Sequence, residues 1–151
     1  MDFGLNGKAA IVTGGSVGIG KAIARELALE GVDVAIAARR QDLLEQAASE
    51  LSRETGRKVV PIVADTTSRE SVENLVKSAA DIMGRGADIL VNNAALPGGL
   101  VLGPLAESDE ADLMADIDTK VVGYFRCAKA VAPHMQSQGW GRIINIGGLS
   151  A

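Results

Sequence analysis

Residues 8–20 read KAAIVTGGSVGIG, and this stretch decides the fold. Ala9 to Val12 form a short apolar run, as in a strand that is buried on both faces. Glycines follow, and apolar residues then recur at helical spacing as far as Leu27, before a glycine stop at Gly31. The stretch therefore predicts a buried strand, a tight glycine-rich turn and a helix, in that order.

The same alternation continues along the chain. Apolar runs at residues 32–38, 59–63, 89–91 and 142–146 predict further strands, with amphipathic helices between them. Thr67 is the expected cap of one helix, Ser108 that of the long helix before the last strand, and residues 96–105 should form a loop. Pro61 lacks an N–H, which favours an edge position for its strand. The pattern predicts one α/β domain over residues 1–151, a doubly wound parallel sheet of about five strands.

Composition excludes several classes of function. The chain has 151 residues, of which 47% are hydrophobic, and its formal net charge is −4, without the basic patch that nucleic-acid binding requires. No apolar run reaches the roughly 18 residues typical of a membrane span, and no signal peptide is visible at Met1. Cys127 is the sole cysteine, which favours a reducing, cytoplasmic setting, and His134 is the lone histidine, so no metal cluster is expected.

The turn between the first strand and the first helix suits a phosphate group. Gly14, Gly18 and Gly20 can provide a tight turn, a close approach to a pyrophosphate, and close packing of helix against strand. The helix N-terminus would offer N–H groups and the positive end of its dipole. A glycine turn without a ligand is the alternative, which the strand-turn-helix context disfavours.

Four motifs together resemble the short-chain dehydrogenase/reductase family. They are the glycine pattern from Thr13 to Gly20, Asp65 after the third strand, residues 92–95 (NNAA) after the fourth, and residues 141–146 (GRIINI) at the fifth. The resemblance covers essentially the whole chain. It implies a Rossmann-type fold, truncated here relative to a family that runs to about 250 residues, and hydride transfer between a nicotinamide coenzyme and a small carbonyl or alcohol.

The end of the second strand indicates which coenzyme. Rossmann sites that select NAD usually place an acid there, whereas an arginine suits the 2′-phosphate of NADP. Ala38 stands where the family's NAD-specific members carry the acid, and Arg39 follows, then Arg40. A guanidinium can pair with a phosphate through two hydrogen bonds. We therefore expect NADP(H) rather than NAD(H), unless both arginines are an ordinary charged start of the next helix.

The resemblance implies further contacts to the coenzyme. Asp65 should accept a hydrogen bond from the adenine amino group, Asn92 and Ala94 should line a ribose, and Ile146 should pass beside the nicotinamide. Asn92 could equally be a structural bridge between strands. The full expected coenzyme-binding set is Thr13, Gly14, Ser16, Val17, Gly18, Ile19, Gly20, Arg39, Arg40, Asp65, Thr66, Asn92, Asn93, Ala94 and Ile146.

The catalytic residues that the family implies are altered or absent. Its Tyr-x-x-x-Lys pair lies about a dozen residues beyond its catalytic Ser, whereas Tyr124 here lies on an earlier helix and is expected to be a packing residue. Gly148 stands at the Ser position, so Ser150 becomes the candidate, although its shift along the chain would displace the hydroxyl by several ångströms. Lys120 occupies the position of the family's relay Asn, and the alternative for it is a solvated lysine.

Two functions therefore stay open. The first is an NADP(H)-dependent oxidoreductase that acts on a small molecule, and the second is a coenzyme-binding module or fragment without turnover, which Gly148 and Lys120 favour. No nucleic-acid or membrane partner is expected. A homo-oligomer is expected instead, either through the long helix at Asp112 to His134, as in similar proteins, or through an exposed fifth strand.

Overall fold

A single parallel sheet organises the computed structural model, which describes residues 1–96 and 104–148. Its strands occur in the spatial order β3-β2-β1-β4-β5, and every neighbouring pair is parallel. The strands are β1 (Ala9–Thr13), β2 (Asp33–Ala38), β3 (Val59–Val63), β4 (Ile89–Asn92) and β5 (Arg142–Asn145). This order confirms the predicted Rossmann-type sheet. Most of the predicted loop at 96–105 lies outside the described residues.

Helices cover both faces of the sheet because successive side chains of a strand point to opposite sides. Ala10 and Val12 pack with one layer of helices, and Ile11 packs with the other. The first layer comprises α1 (Gly18–Leu29) and α2 (Gln41–Thr55), and the second comprises α3 (Arg69–Met83) and α5 (Gly123–Gln138). Each large aliphatic side chain that this arrangement buries contributes roughly 1.5–3 kcal/mol.

The two outer strands of the described sheet differ in their surroundings. β3 is an edge strand, as Pro61 predicted, and pairs only with β2. β5 pairs with β4 on one side, and all four of its residues are exposed, with Ile143 at 42% and Ile144 at 45%. Within the described residues, β5 therefore presents apolar side chains on both faces.

The long helix predicted before β5 has a break in its hydrogen-bonding pattern. α4 (Glu110–Ile117) leads into one π-helical turn (Asp118–Val122), which leads directly into α5. The expected cap at Ser108 is wrong. Asp109 caps α4 by accepting from the N–H of Ala111, whereas the Ser108 hydroxyl donates to the Pro104 carbonyl.

The predicted cap of α3 is also displaced by one residue. Ser68 accepts from the N–H of Ser71, because Thr67 donates its hydroxyl to Asp65 at 2.7 Å. His134 does not end its helix, since α5 continues to Gln138. None of the helices within residues 1–96 and 104–148 has the length and apolar character to cross a bilayer.

Candidate nucleotide-binding site

The turn after β1 has a backbone shape that requires glycine. Gly14 and Gly18 both have positive φ, at 65° and 57°, a region that side chains with a Cβ rarely adopt. A Cβ on Gly20 would overlap the carbonyl oxygen of Gly14 and lie 2.5 Å from Nδ2 of Asn93. At Gly18, by contrast, a Cβ would meet nothing within 4 Å. The chain is therefore packed tightly behind the turn and open in front of it.

The N-terminus of α1 faces this opening. Val17 precedes the helix in an extended conformation, and no side chain within the described residues caps the first turn. The first N–H groups of a helix need partners from outside the helix, and the dipole makes this end partly positive. An uncapped helix end beside an open glycine turn can hold an anionic group through backbone donors.

A cavity of about 510 Å³ extends from the turn along the carboxyl ends of β1, β2 and β4. Ten of the residues expected to bind coenzyme line it: Gly14, Ser16, Val17, Ile19, Arg39, Arg40, Asp65, Thr66, Asn93 and Ala94. The lining is mainly apolar, with charged groups confined to one end of the cavity. A cavity of this kind suits an elongated ligand that has an anionic group and flat, weakly polar rings.

Arg39 and Arg40 form the charged end of the cavity. Both side chains are exposed, and neither takes part in an ion pair within the described residues. They lie there because they directly follow β2, which ends at Ala38 in the cavity lining. Two adjacent guanidinium groups without carboxylate partners can attract an added phosphate.

Asp65 lines the same cavity as these arginines, and its carboxyl is ionised at neutral pH. Its Oδ1 accepts from the hydroxyl of Thr67 at 2.7 Å and from the N–H of Thr67 at 2.9 Å. The Thr67 hydroxyl is the main reason that the pKa of this carboxyl lies below its usual value; burial opposes the shift, and the charges of Arg39 and Arg126 support it. Oδ2 has no hydrogen bond to the described residues, and it can accept one from a ligand.

Thr13 lies behind the cavity rather than in its lining. Its buried hydroxyl accepts from the N–H groups of Asn93 and Ala94, at 3.0 and 3.1 Å, and donates to the Val91 carbonyl at 3.4 Å. These bonds join the end of β1 to the segment after β4. Thr13 therefore shapes the cavity through Asn93 and Ala94.

Asn92 is fully buried and bridges neighbouring elements. Its Nδ2 donates to the Asn145 side chain at 2.8 Å and to the Tyr124 carbonyl at 3.3 Å. It does not line the cavity, although its Oδ1 is buried without a partner among the described residues. The contacts are those of the structural bridge, the alternative that the sequence left open.

Tyr124 and Ile146 meet at the end of β5. The Tyr124 hydroxyl donates to the Ile146 carbonyl at 2.9 Å, and the Ile146 N–H donates to the Asn92 carbonyl at 2.9 Å. Burial, assisted by the negative charge of Asp116, raises the pKa of the Tyr124 phenol. Tyr124 therefore stays protonated at neutral pH, and its hydrogen bond holds the segment after β5 in place.

The remaining catalytic candidates are only partly described. Lys120 lies in the π-helical turn with its side chain 35% exposed, and its Nζ lies 3.9 Å from Oδ1 of Asp116. Gly148 is exposed, and a Cβ there would meet nothing within 4 Å. Ser150 lies outside the described residues.

Sequence reasoning missed several residues that line the cavity. Leu43, on the first turn of α2, and Thr119, in the π-helical turn, are the most distant from the motifs. The other additions are Ala37, Ala38, Ala64, Thr67, Ala95 and Leu96. Leu43 follows Arg40 closely enough to have been proposed, but no local signal marks Thr119, because the fold brings it there from a distant part of the chain.

The sheet order, the glycine turn and the cavity at the carboxyl edge define a Rossmann-type nucleotide-binding domain. The chain belongs to the short chain dehydrogenase family, whose model matches residues 8–151. The resemblance that the motifs suggested is thereby confirmed.

Individual relatives agree with this assignment. The chain is 39% identical over 148 residues to an uncharacterized oxidoreductase of Staphylococcus aureus, and the match covers 97% of this chain and 60% of the relative. L-sorbose reductase from Gluconobacter frateurii, solved with NADPH and L-sorbose, matches with a TM-score of 0.86 and 36% identity over 95% of this chain and 53% of its own. NAD⁺-bound xylitol dehydrogenase matches with a TM-score of 0.84 and 35% identity over 92% and 52%. The chain thus spans about half to three-fifths of these proteins, and relatives with either coenzyme share its fold.

Proposed function

We propose that the chain is the coenzyme-binding part of an NADP(H)-dependent oxidoreductase that acts on a small carbonyl or alcohol. The observation that carries the proposal is the pair of exposed arginines at the cavity end next to Ala38, neither of which forms an ion pair with residues 1–96 or 104–148. Because Ala38 stands there instead of an acid, that position has no side-chain carboxylate to accept a hydrogen bond from a free ribose 2′-hydroxyl. A 2′-phosphate would instead be held by guanidinium donors.

The residues present fit the adenine and pyrophosphate parts of such a coenzyme. The open side of Gly18 and the uncapped end of α1 suit the pyrophosphate, and Oδ2 of Asp65 suits an adenine amino group. Ser16 lines the cavity and offers a further hydroxyl donor. The bound nicotinamide would supply the hydride chemistry. The chain's own residues bind and orient it, and they exclude water on the apolar side of the cavity.

Titration of the chain with NADPH and with NADH tests the proposal. We expect NADPH to bind at least tenfold more tightly at low ionic strength, with the preference shrinking as salt screens the exposed arginines. Calorimetry provides both dissociation constants. Equal affinities, or tighter binding of NADH, would contradict the assignment of coenzyme.

A coenzyme-binding module without turnover is the second candidate. Gly148 favours it, because a glycine stands where the resemblance to the family implies a hydroxyl, and so does Lys120 at the position where the resemblance implies a relay Asn. Consumption of NADPH with a panel of ketones and aldehydes separates the two functions. Tight NADPH binding without turnover at any pH would support the module.

An apolar helix surface supports association with a second copy. Leu113, Met114, Val121 and Phe125 are exposed on the helical segment from α4 to α5, between 48% and 65%. We propose that this surface forms a homo-oligomer contact, that residues 1–151 belong to one domain, and that the protein works in the cytoplasm. Light scattering should find a dimer or tetramer, and Phe125→Glu should shift it towards the monomer because a charge would enter the contact. A monomeric parent chain would contradict the proposed contact.

A further inference from the structure

The guanidinium group of Arg126, on α5, joins two walls of the cavity without lining the cavity itself. Its Nη1 donates to the Thr66 carbonyl at 3.1 Å and to the Asp118 carbonyl at 3.4 Å. Its Nη2 pairs with the Asp118 carboxylate at 2.8 Å. One planar side chain therefore connects the segment after β3 to the π-helical turn.

Each of these two partners belongs to a part of the chain that forms the cavity. Thr66 lines it next to Asp65, and Asp118 precedes Thr119, which lines it from the helical side. The Asp118 carbonyl also accepts from the N–H of Gly123, the bond that closes the π-helical turn. Arg126 thus holds the carbonyl around which the helix is distorted.

The contact between the two walls is close even without the arginine. A Cβ on Gly123 would lie 3.1 Å from Oγ1 of Thr66, so the start of α5 already touches the segment after β3. The charge of Arg126 also reaches the Asp65 carboxyl. Packing brings the walls together, and the directional bonds of Arg126 fix their relative position.

We propose that Arg126 is a positioning residue for the adenine half of the coenzyme. It holds Asp65 and Thr66 at a fixed distance from Thr119, so that the adenine ring enters a slot between these residues that is already formed before binding. This inference rests on the proposed function, because it assumes that a nucleotide occupies the cavity. A preformed slot binds more tightly because less ordering is required when the ligand arrives.

The test compares the affinity for NADPH with that for adenosine 2′,5′-bisphosphate, its adenine half. Arg126→Met should weaken both by the same factor, about tenfold, because the whole effect lies in the shared half. Arg126→Lys should lose about threefold, because an ammonium cannot hold two carbonyls and a carboxylate in one plane. Calorimetry provides the constants, and thermal melting of each variant shows whether it is folded.

Two control variants separate positioning from general loosening. Asp118→Asn keeps both Nη1 bonds to carbonyls and should bind both compounds as the parent does. Arg57→Met removes a comparable ion pair, with Asp33, at the start of β2 and should leave both affinities unchanged. If Arg126→Met does not fold, the Arg126→Lys comparison decides in the same way.

The outcomes are distinct for the two proposals. Undiminished binding of adenosine 2′,5′-bisphosphate to folded Arg126 variants would overturn the positioning role and leave the proposed function intact. A larger loss for NADPH than for its adenine half would also overturn it, because the effect would then lie elsewhere. A parent chain that binds neither compound would overturn the proposed function and this inference together.

Discussion

The polar groups at the two ends of the parallel strands, the carboxyl edge and the amino edge of the sheet, differ in whether they have partners. At the carboxyl edge, the first turn of α1 lacks a side-chain cap within the described residues, and Arg39 and Arg40 lack carboxylate partners there. At the amino edge, a buried carboxylate is surrounded by donors. The same parallel sheet therefore has one edge prepared for a ligand and one that is internally satisfied.

Asp88 is the centre of the amino edge and is fully buried. Its Oδ2 accepts from the N–H of Ala9 at 2.8 Å, and its Oδ1 accepts from Arg85 at 2.9 Å and from Gln138 at 2.8 Å. These partners come from the start of β1, the turn before β4 and the end of α5. One side chain thus joins three elements that are far apart in sequence.

Trp140 covers the same edge nearby. Lys8 Nζ lies 4.2 Å and the Arg142 guanidinium 4.8 Å from the centre of its ring. Such contacts contribute about 0.5–1 kcal/mol each at exposed sites. The difference between the edges supports a division of roles: groups that partner one another stabilise the fold, and groups without partners among the described residues are those that we propose bind the coenzyme.

Substitution of Gly20, where an added Cβ has no room, should have the largest effect. The change should be in coenzyme affinity, at the carboxyl edge alone. We expect Gly20→Ala to weaken NADPH binding by about 1,000-fold, roughly 4 kcal/mol, because its Cβ would force the Gly14 carbonyl and Asn93 out of place. Gly56→Ala is the control, since a Cβ at Gly56 would meet nothing within 4 Å and only its positive φ would disfavour the change. It should cost about 1 kcal/mol of stability and leave the affinity unchanged. Similar affinities for the two variants would break the comparison.

Removal of the buried Asp88 carboxylate should have the reverse pattern, a loss of stability with little change in coenzyme affinity. Asp88→Ala leaves the Ala9 N–H without its acceptor and removes one hydrogen bond each from Arg85 and Gln138, so we expect the free energy of unfolding to fall by about 3 kcal/mol. Urea denaturation measures this loss. At temperatures where the variant is folded, its NADPH affinity should stay within about twofold of the parent value. A tenfold change in affinity would show that the two edges are coupled.

A smaller effect is expected from the exposed arginine. Arg39→Ala should weaken NADPH binding about 30-fold and NADH binding by less than threefold, because only the former carries the phosphate. Arg53→Ala, also exposed but remote from the cavity lining, is the control. An equal loss for both coenzymes would mean that Arg39 does not recognise the 2′-phosphate.

The smallest effect should be on the pH dependence of stability, compared between the parent chain and Asp88→Asn. Burial works to raise the pKa of Asp88, but the hydrogen bonds from Ala9 and Gln138 and the charges of Arg85 and Lys8 together hold it below the ordinary value of 3.8. A carboxyl with a lowered folded pKa stabilises the fold above its unfolded pKa, and this contribution is lost as pH falls through the folded value. The free energy of unfolding should therefore decline below about pH 3.8. Urea midpoints between pH 2 and 6 should decline less steeply for Asp88→Asn, and parallel curves would contradict the assignment.

Local patterns predicted most of the carboxyl edge. The glycine spacing, the end of β2 at Ala38, and Asp65 after β3 can all be recognised from neighbouring residues, because parallel strands place their carboxyl ends along one edge. The helix caps were missed by one residue, at Thr67 and Ser108. Several adjacent hydroxyl and carboxyl groups compete there for the same N–H groups, and the outcome depends on the backbone path.

The sequence by itself determined the order of strands and helices, the edge position of Pro61 and the glycine turn after β1, because periodicity and glycine conformation are local properties. Only the tertiary structure decided that Asn92 bridges strands, that Asp88 joins three elements, and that Arg126 reaches Thr66. Those contacts link residues 32 to 79 positions apart. Partners at such separations are selected by how the helices pack on the sheet, and no nearby spacing records that choice.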